Sequence, residues 1–313
     1  MSKKGDVDFS KSWFSNEGYV DFSYSQFSKE GRIEFSYCIF SEITYFIDCK
    51  FETTTFFKYV TFKSPEEVKF ETEDLSKVSF SNTDITRIVF GENTYFGKSI
   101  GKSKLEKEEE RFKIFDERRF EKFFDENDSN EINKKEDYKI PELSLGSTLA
   151  SYRNLRENYE YRLRYDEAGQ FFIREMELKR KYRNQFSKKE KEYIPKKNGW
   201  FRQNFSFIGI YYRICKYGES STYPLILFGI IILSSTLYWA FVSSIDSNHY
   251  AIIKEKCKED NIYSCSLMRS LSDIVGFPDQ GKIVDYITRI TSIIVLATLF
   301  LPFRRKFERR FRH

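Results

Sequence analysis

Residues 70–95 read FETEDLSKVSFSNTDITRIVFGENTY, and an apolar side chain returns at every fifth position: Phe70, Leu75, Phe80, Ile85, Phe90 and Tyr95. Val68, Val78 and Ile88 stand two residues before three of them. A period of five matches neither an α-helix nor a flat strand. It fits a chain that turns a corner every five residues and aims one side chain inward on each face. Stacked coils of that kind bury columns of like side chains while the backbone pairs from coil to coil.

Upstream the ladder is interrupted but regular. Phe9 to Phe14, Phe22 to Phe27 and Phe35 to Phe40 are steps of five, whereas Phe14 to Phe22 and Phe27 to Phe35 are steps of eight. The resulting 13-residue unit is visible in FSNEGYVDFSYSQ (14–26) and FSKEGRIEFSYCI (27–39). Asn16-Glu17-Gly18 and Lys29-Glu30-Gly31 read as turn insertions in which glycine supplies a permissive backbone. Phe51, Phe56 and Phe62 continue the pattern less strictly. Over about residues 7–96 the chain resembles the pentapeptide-repeat family in its Phe-rich variant. The resemblance implies a right-handed quadrilateral β-helix with the central residue of each pentapeptide inside. The sequence departs from the family pattern in lacking a steady Ala before, and Asp or Asn next to, the central residue. An antiparallel β domain with regularly spaced Phe is the other reading. In both, the repeats carry no chemistry of their own and present a surface.

Composition bounds the rest. Aromatics make up 18% of the 313 residues although mean hydropathy is −0.56, so the apolar side chains must be patterned or segregated. Disorder throughout is excluded by the aromatic content, and a disulfide-built miniprotein by only 5 Cys in this length. His249 and His313 are the only histidines, which argues against a His-based triad or a multi-His metal site. Residues 1–100 hold 12 basic and 16 acidic side chains, too mild an excess for the DNA mimicry of some strongly acidic pentapeptide-repeat proteins. The positive charge gathers at Lys179 to Lys216 and Arg304 to Arg312, flanking apolar segments, which favours a membrane surface over nucleic acid. Gly91 to Ser99 imitates a phosphate-binding loop, but five residues separate its glycines where four are required, and Tyr95 lies on the ladder.

Residues 101–140 are dominated by charge; Phe112, Phe115, Phe120, Phe123 and Phe124 predict one helix around Leu105–Asp125. From Ser147 a helical hairpin is expected, with Tyr152, Leu155 and Tyr159 on the first face and Phe172 and Met176 on the second. It resembles a single tetratricopeptide-type helix pair, without the small residues that motif has at Arg156 and Glu175. It either packs on a neighbour, with self-association as one possibility, or serves as a solvated spacer. Lys188 to Lys197 reads as an exposed basic stretch.

Pro224 to Val242 (PLILFGIIILSSTLYWAFV) carries no charge, and its 19 residues rise about 28 Å, close to a bilayer core. Ile290 to Phe303 is shorter; a second span needs extension back to Ile283, including Asp285 and Arg289, and a buried or re-entrant helix is the alternative. Lys196, Lys197, Arg202, Arg213 and Lys216 precede the first span and six Lys or Arg follow the second, while about seven acids and five bases lie between. Both termini are therefore expected to be cytoplasmic in a multi-pass cell-membrane protein. Cys38, Cys49 and Cys215 would then be reduced, and Cys257 and Cys265 could pair outside or stay as thiols. Trp200 to Tyr217 reads as an amphipathic helix at the inner interface.

Leu267 to Phe277 is apolar but too short to cross, and a turn follows: Ile274, Val275, Gly276, Phe277, Pro278, Asp279. The turn resembles the Thr-Val-Gly-Tyr-Gly-Asp filter of potassium channels at Val275, Gly276, Phe277 and Asp279. That family dehydrates its ion with filter carbonyls. Ile274 replaces the hydroxyl residue and Pro278 the second glycine. Asp166–Gly169, Arg174–Glu177, Tyr217–Glu219 and Arg304–Phe307 extend a resemblance to microbial proteins that join a pentapeptide repeat, a helix pair and a two-span channel-like region.

The expected architecture is multi-domain: a β-helix (1–98), a charged linker with one helix (99–146), a helical hairpin (147–196), an interfacial helix (197–222), a two-span α-helical membrane region (223–303) with a re-entrant helix (267–277), and a basic tail (304–313). The expected function is an oligomeric ion-channel-like protein of about four copies, with a cytoplasmic sensor or gating domain. The alternative is a non-conducting anchored scaffold. The expected partners are the lipid bilayer, further copies of the chain, a cytoplasmic protein and a monovalent cation, without nucleic acid. No cofactor, metal or enzymatic site is expected.

Overall fold

The computed structural model describes residues 5–14, 18–27, 31–97, 110–128, 144–187, 192–218, 222–245, 266–267, 289–297 and 300. The chain divides into two units, Met1–Gly199 and Trp200–His313.

The first unit opens with a β-solenoid. Its first coil carries β1 (Val7–Asp8), β2 (Trp13–Phe14), β3 (Tyr19–Asp21) and β4 (Gln26–Phe27). The second carries β5 (Arg32–Glu34), β6 (Ile39–Phe40), β7 (Ile43–Tyr45) and β8 (Lys50–Phe51). Then come β9 (Thr54–Phe56), β10 (Thr61–Phe62), β11 (Val68–Phe70), β12 (Val78–Ser79) and β13 (Val89–Phe90). Strands stack in parallel from coil to coil as β1-β5-β9-β12, β2-β6-β10, β3-β7-β11-β13 and β4-β8, and the Asp74–Tyr95 bridge extends the last face. The register Val7–Ile33–Thr55–Val78 advances by 26, 22 and 23 residues, so the solenoid makes about three turns.

The interior is a set of phenyl columns. Phe9, Phe35, Phe57 and Phe80 stack with centroids 5.0, 4.8 and 5.5 Å apart. Phe14–Phe40–Phe62 stack at 4.6 and 5.3 Å, and Phe27–Phe51 at 5.0 Å. Neighbouring columns meet edge to face, as in Phe46–Phe57 and Phe57–Phe70 at 5.3 Å. Offset stacking along a column and edge contact across it are the two arrangements an aromatic quadrupole favours. Phe70, Leu75, Phe80, Ile85 and Phe90 are all buried in this core.

Two positions differ from the five-residue ladder. Phe57, not Phe56, fills the third coil; Phe56 faces outward, where Phe115 and the Lys58 and Arg119 cations cover its ring. Tyr95 is only half-buried, and Phe96 is the buried residue. Coil lengths vary, so the phase of the inward residue slips by one where a corner gains a residue.

Corner chemistry recurs. Asp8, Asp21, Asp74 and Asp84 each stand directly before an inward residue and accept a hydrogen bond from the amide two residues on, at 2.7–3.0 Å. These are Asx turns. Asp next to the central residue, expected to be lacking, is thus present in DFS (8–10), DFS (21–23), DLS (74–76) and DIT (84–86). Lys11, Tyr24, Tyr37, Asp48, Tyr59 and Asn82 each follow an inward Phe by two residues and hold φ between 50° and 62°. Left-handed backbone turns the corner at these positions. Gly31 also has positive φ (+90°), and a Cβ there would lie 2.3 Å from the Gly5 carbonyl oxygen.

Helices follow in the same unit: α1 (Phe115–Asp128), α2 (Leu145–Tyr161) and α3 (Tyr165–Lys181). The helix expected as one is broken at residues 112–114, between helical Glu110 and Arg111 and the start of α1, and Phe112 is buried in the break. Ser144 caps α2 by accepting from the Ser147 amide. Tyr152, Leu155 and Tyr159 form the buried face of α2. On α3 the buried residues are Ala168, Gly169, Phe171, Glu175 and Leu178, one position out of phase with the expected Phe172 and Met176. The stretch read as exposed basic chain supplies one strand of an antiparallel hairpin, β14 (Tyr182–Ser187) with β15 (Glu192–Lys197).

The second unit holds α4 (Trp200–Phe205), α5 (Phe207–Cys215), a 3-10 turn at Lys216–Gly218 and α6 (Thr222–Ile245). The single interfacial helix is thus two, because the Ser206 side chain caps α5. No single helix among the described residues is long and apolar enough to be a clear membrane span. Phe207–Gly218 and Thr222–Tyr238, bent by 112°, have that length and composition together.

Candidate functional site

The helices of the first unit close the last coil of the solenoid. A coil end exposes unpaired carbonyls and amides, the usual liability of an edge strand. Here α2 meets that edge with side-chain donors. Asn158 Nδ2 donates to the Ile85 and Ile88 carbonyls, both at 2.7 Å, and Asn154 Nδ2 to Thr83 O at 3.0 Å. Arg162 reaches Arg87 O, and Arg164 reaches the Gly91 and Glu92 carbonyls, at 3.0–3.2 Å. The aromatic column continues into the helices through Phe90–Tyr159 (6.4 Å), Phe96–Phe171 (5.5 Å) and Phe112–Phe171 (5.2 Å). The neighbour on which the helical hairpin packs is therefore the solenoid itself.

Three buried carboxylates lie in this cap, in contrasting environments. Glu175 is buried and ion-paired to Lys179 Nζ (2.7 Å), Arg153 Nε (2.9 Å) and Arg156 Nη1 (3.0 Å). The two residues that break the small-residue pattern of a tetratricopeptide pair are thus partners of each other. Burial alone would raise the Glu175 carboxyl, but hydrogen bonds from Lys179 and Arg153 and the charges of Lys179 and Arg156 hold it below the ordinary range. Glu117 on α1 accepts from the Tyr152 hydroxyl, while its Oε1 has no hydrogen-bond partner among the described residues. Burial raises its carboxyl, and the Arg174 charge offsets this only in part. Asp116 beside it is also raised by burial, although Ser79 Oγ donates to it at 2.6 Å.

These shifts have opposite signs for stability. A lowered carboxyl stabilises the fold above its ordinary value of 4.5 and loses that contribution as pH falls. A raised carboxyl favours the fold fully only below 4.5, and its penalty grows as pH rises toward the folded value. Glu175→Gln is therefore expected to lose stability relative to wild type more at pH 7 than at pH 4, and Glu117→Gln to gain more at pH 7. Urea midpoints across that range check both.

The solenoid cysteines are structural. Cys38 Sγ donates to Phe9 O (3.0 Å) and Cys49 Sγ to Phe22 O (3.1 Å), the link that Thr72 and Thr83 hydroxyls make to Phe46 O and Phe57 O. Burial raises both thiols, Cys49 to about 11, so neither is a thiolate at neutral pH. Among the described residues no group of three His, Cys, Asp or Glu side chains is placed to hold a metal. Near the imitation phosphate loop, Gly97 packs so tightly that a Cβ would meet the Glu110 carbonyl.

The second unit presents apolar side chains outward. Trp200, Phe201, Phe205, Phe207 and Ile210 are exposed on α4 and α5. Leu225, Ile226, Ile230, Leu233, Leu237 and Phe241 are exposed on α6, as are Ile290, Ile293 and Ile294 further on. The filter-like residues Ile274, Val275, Gly276, Phe277, Pro278 and Asp279 lie outside the described residues. So do Cys257 and Cys265, Asp285, the tail from Arg304, and all of the re-entrant segment except Leu267. In the solenoid, Asn16, Glu17, Lys29 and Glu30 of the turn insertions are likewise outside.

No family model matches the chain, and no solved structure matches it significantly. A curated relative is "Uncharacterized protein MJ1147" of Methanocaldococcus jannaschii, 30% identical over 183 residues, an alignment covering 55% of this chain and 34% of that protein. The chain thus spans about a third of the length of the curated relative it matches.

Proposed function

We propose that this chain is an integral membrane protein whose second unit forms a two-span, channel-like region and whose first unit is a cytoplasmic pentapeptide-repeat β-helix that senses a partner or gates the pore. The observation that carries the reading is α6: 24 residues without a charge, on which Leu225, Ile226, Ile230, Leu233, Leu237 and Phe241 are exposed. An outward apolar face of that length has lipid as its natural solvent. The aromatic and basic helices ahead of it match the chemistry of an inner interface. The channel part rests on the span, short apolar helix, turn and span order, and on the filter-like run from Ile274 to Asp279. Two spans cannot enclose a pore alone, so the working form is an oligomer of about four copies, passing a monovalent cation.

Reconstituted protein is expected to conduct monovalent cations, with flux abolished in Gly276→Asp. Size measurement in detergent is expected to give an oligomer. A monomer that passes no ions removes the channel reading. A second reading, a non-conducting scaffold that anchors the β-helix for a cytoplasmic protein, is favoured by Pro278 and Ile274. Proline cannot take the positive φ of the missing glycine, and isoleucine offers no hydroxyl. Flux that disappears in Gly276→Asp excludes the scaffold.

A further inference from the structure

We infer that the bent surface formed by α4 and α5 binds anionic lipid headgroups. The inference rests on the membrane reading above and names the class of lipid that this surface selects. Five large apolar side chains are exposed within 11 residues, Phe207 at 87% and Trp200 at 69%. A patch of that kind marks an interaction site. Among the described residues, the charge around it has one sign. Among the described residues from Trp200 onward there is no Asp or Glu, whereas Arg202, Arg213, Lys216 and Arg289 are cationic. Arg213 Nη2 donates to the neutral Asn204 Oδ1 at 3.1 Å and lies 5.8 Å from the Phe205 ring, and Lys216 lies 5.5 Å from the Tyr223 ring. These contacts position the cations without cancelling their charge. Aromatic rings at the acyl boundary with basic ends at the phosphates is the arrangement by which interfacial helices read an anionic leaflet.

The break between the two helices is built into the backbone. The Ser206 hydroxyl accepts from the Gly209 amide at 3.2 Å. A Cβ at position 209 would sit 2.2 Å from Gln203 O, so glycine allows the two helices to approach. An acidic protein segment would satisfy the same cations, but it leaves the outward rings of Trp200, Phe201 and Phe207 without an apolar phase. The lipid surface satisfies both.

The test uses the full chain in liposomes of phosphatidylcholine alone or mixed with phosphatidylglycerol. Trp200 is isolated as the fluorophore by Trp13→Phe and Trp239→Phe, and brominated lipids serve as quenchers. Trp200 is expected to be quenched more strongly in the anionic liposomes. Added salt is expected to weaken that preference, as are Arg202→Gln, Arg213→Gln and Lys216→Gln, on the order of fivefold in lipid partitioning per cation removed. Trp200 quenched equally in both lipids, with no response to these substitutions, overturns the headgroup inference. The same holds if soluble polyglutamate shields Trp200 and anionic lipid does not. In either case Trp239, isolated in a Trp13→Phe, Trp200→Phe chain, reports on the span separately. If Trp239 is quenched, the membrane reading stands while this inference fails; if Trp239 also stays unquenched, both fail.

Discussion

Phe35→Ala is expected to destabilise the solenoid by about 3–5 kcal/mol, the range for truncating a buried Phe to Ala. Phe35 is fully buried and stacks between Phe9 (5.0 Å) and Phe57 (4.8 Å), with edge contacts to Phe22, Phe27 and Phe46. The column is held at the coil spacing by the backbone ladder, so neighbouring rings cannot close over the void. The loss therefore combines transfer and cavity terms. Urea unfolding of the full chain reads the shift in midpoint. Phe9→Ala is the control: among the described residues Phe9 stacks only on Phe35, and it is partly exposed, so its truncation is expected to cost markedly less. Equal effects at the two positions would show that the interior is not a stacked column.

Asn158→Leu is expected to be the most damaging change in the helical cap. The Asn158 amide is buried and serves two carbonyls at once, Ile85 O and Ile88 O. Leucine keeps the volume but leaves Ile88 O without a donor among the described residues and Ile85 O with only the long bond from the Ile88 amide (3.4 Å), at about 1–3 kcal/mol for the orphaned group. Asn154→Ala removes one part-buried bond and is expected to cost about 1 kcal/mol. Hydrogen exchange separates this effect from general destabilisation. In Asn158→Leu, protection is expected to fall first at Val89–Phe90 and the Asp74–Tyr95 bridge, where the cap meets the coil, and to persist at Arg32–Glu34 in the second coil. Uniform loss across all coils would mean that α2 does not act as a local cap.

The five-residue period was legible because a solenoid corner repeats the same backbone turn and each turn aims one side chain inward. Phe70 to Phe90 needed nothing more. The slips at Phe56 and Tyr95 were not legible, because insertions in the corners shift phase by one. Which of two adjacent rings turns inward depends on the ring above it: Phe57 has Phe80 at 5.5 Å. The Asp directly next to the inward residue was in plain sight at Asp8, Asp21, Asp74 and Asp84, and was missed because it is not kept at every step: Trp13, Glu34 and Ser79 stand before Phe14, Phe35 and Phe80. For the second unit, composition predicts the helix Thr222–Ile245 well, since a long uncharged, mostly apolar run needs no partner to be recognised. The break at Ser206 lay hidden in a run that reads as one helix, because a cap is a local hydrogen bond rather than a change of hydropathy.

By itself, the sequence determined that the chain begins as a stack of coils around apolar residues and that its hydrophobicity is segregated toward the C-terminal third. Both follow from periodicity and composition, which are local. Only the tertiary structure decided what Arg156 and Glu175 are for, and what closes the solenoid. In the sequence they are misfits in a helix-pair pattern 19 residues apart; folded, they lie 3.0 Å from each other in an ion cluster around the buried Glu175. Asn158 is an unremarkable amide until the last coil brings the Ile85 and Ile88 carbonyls within 2.7 Å of it. Pairings across such distances along the chain depend on where elements pack, and packing is set by the whole core rather than by any window of residues.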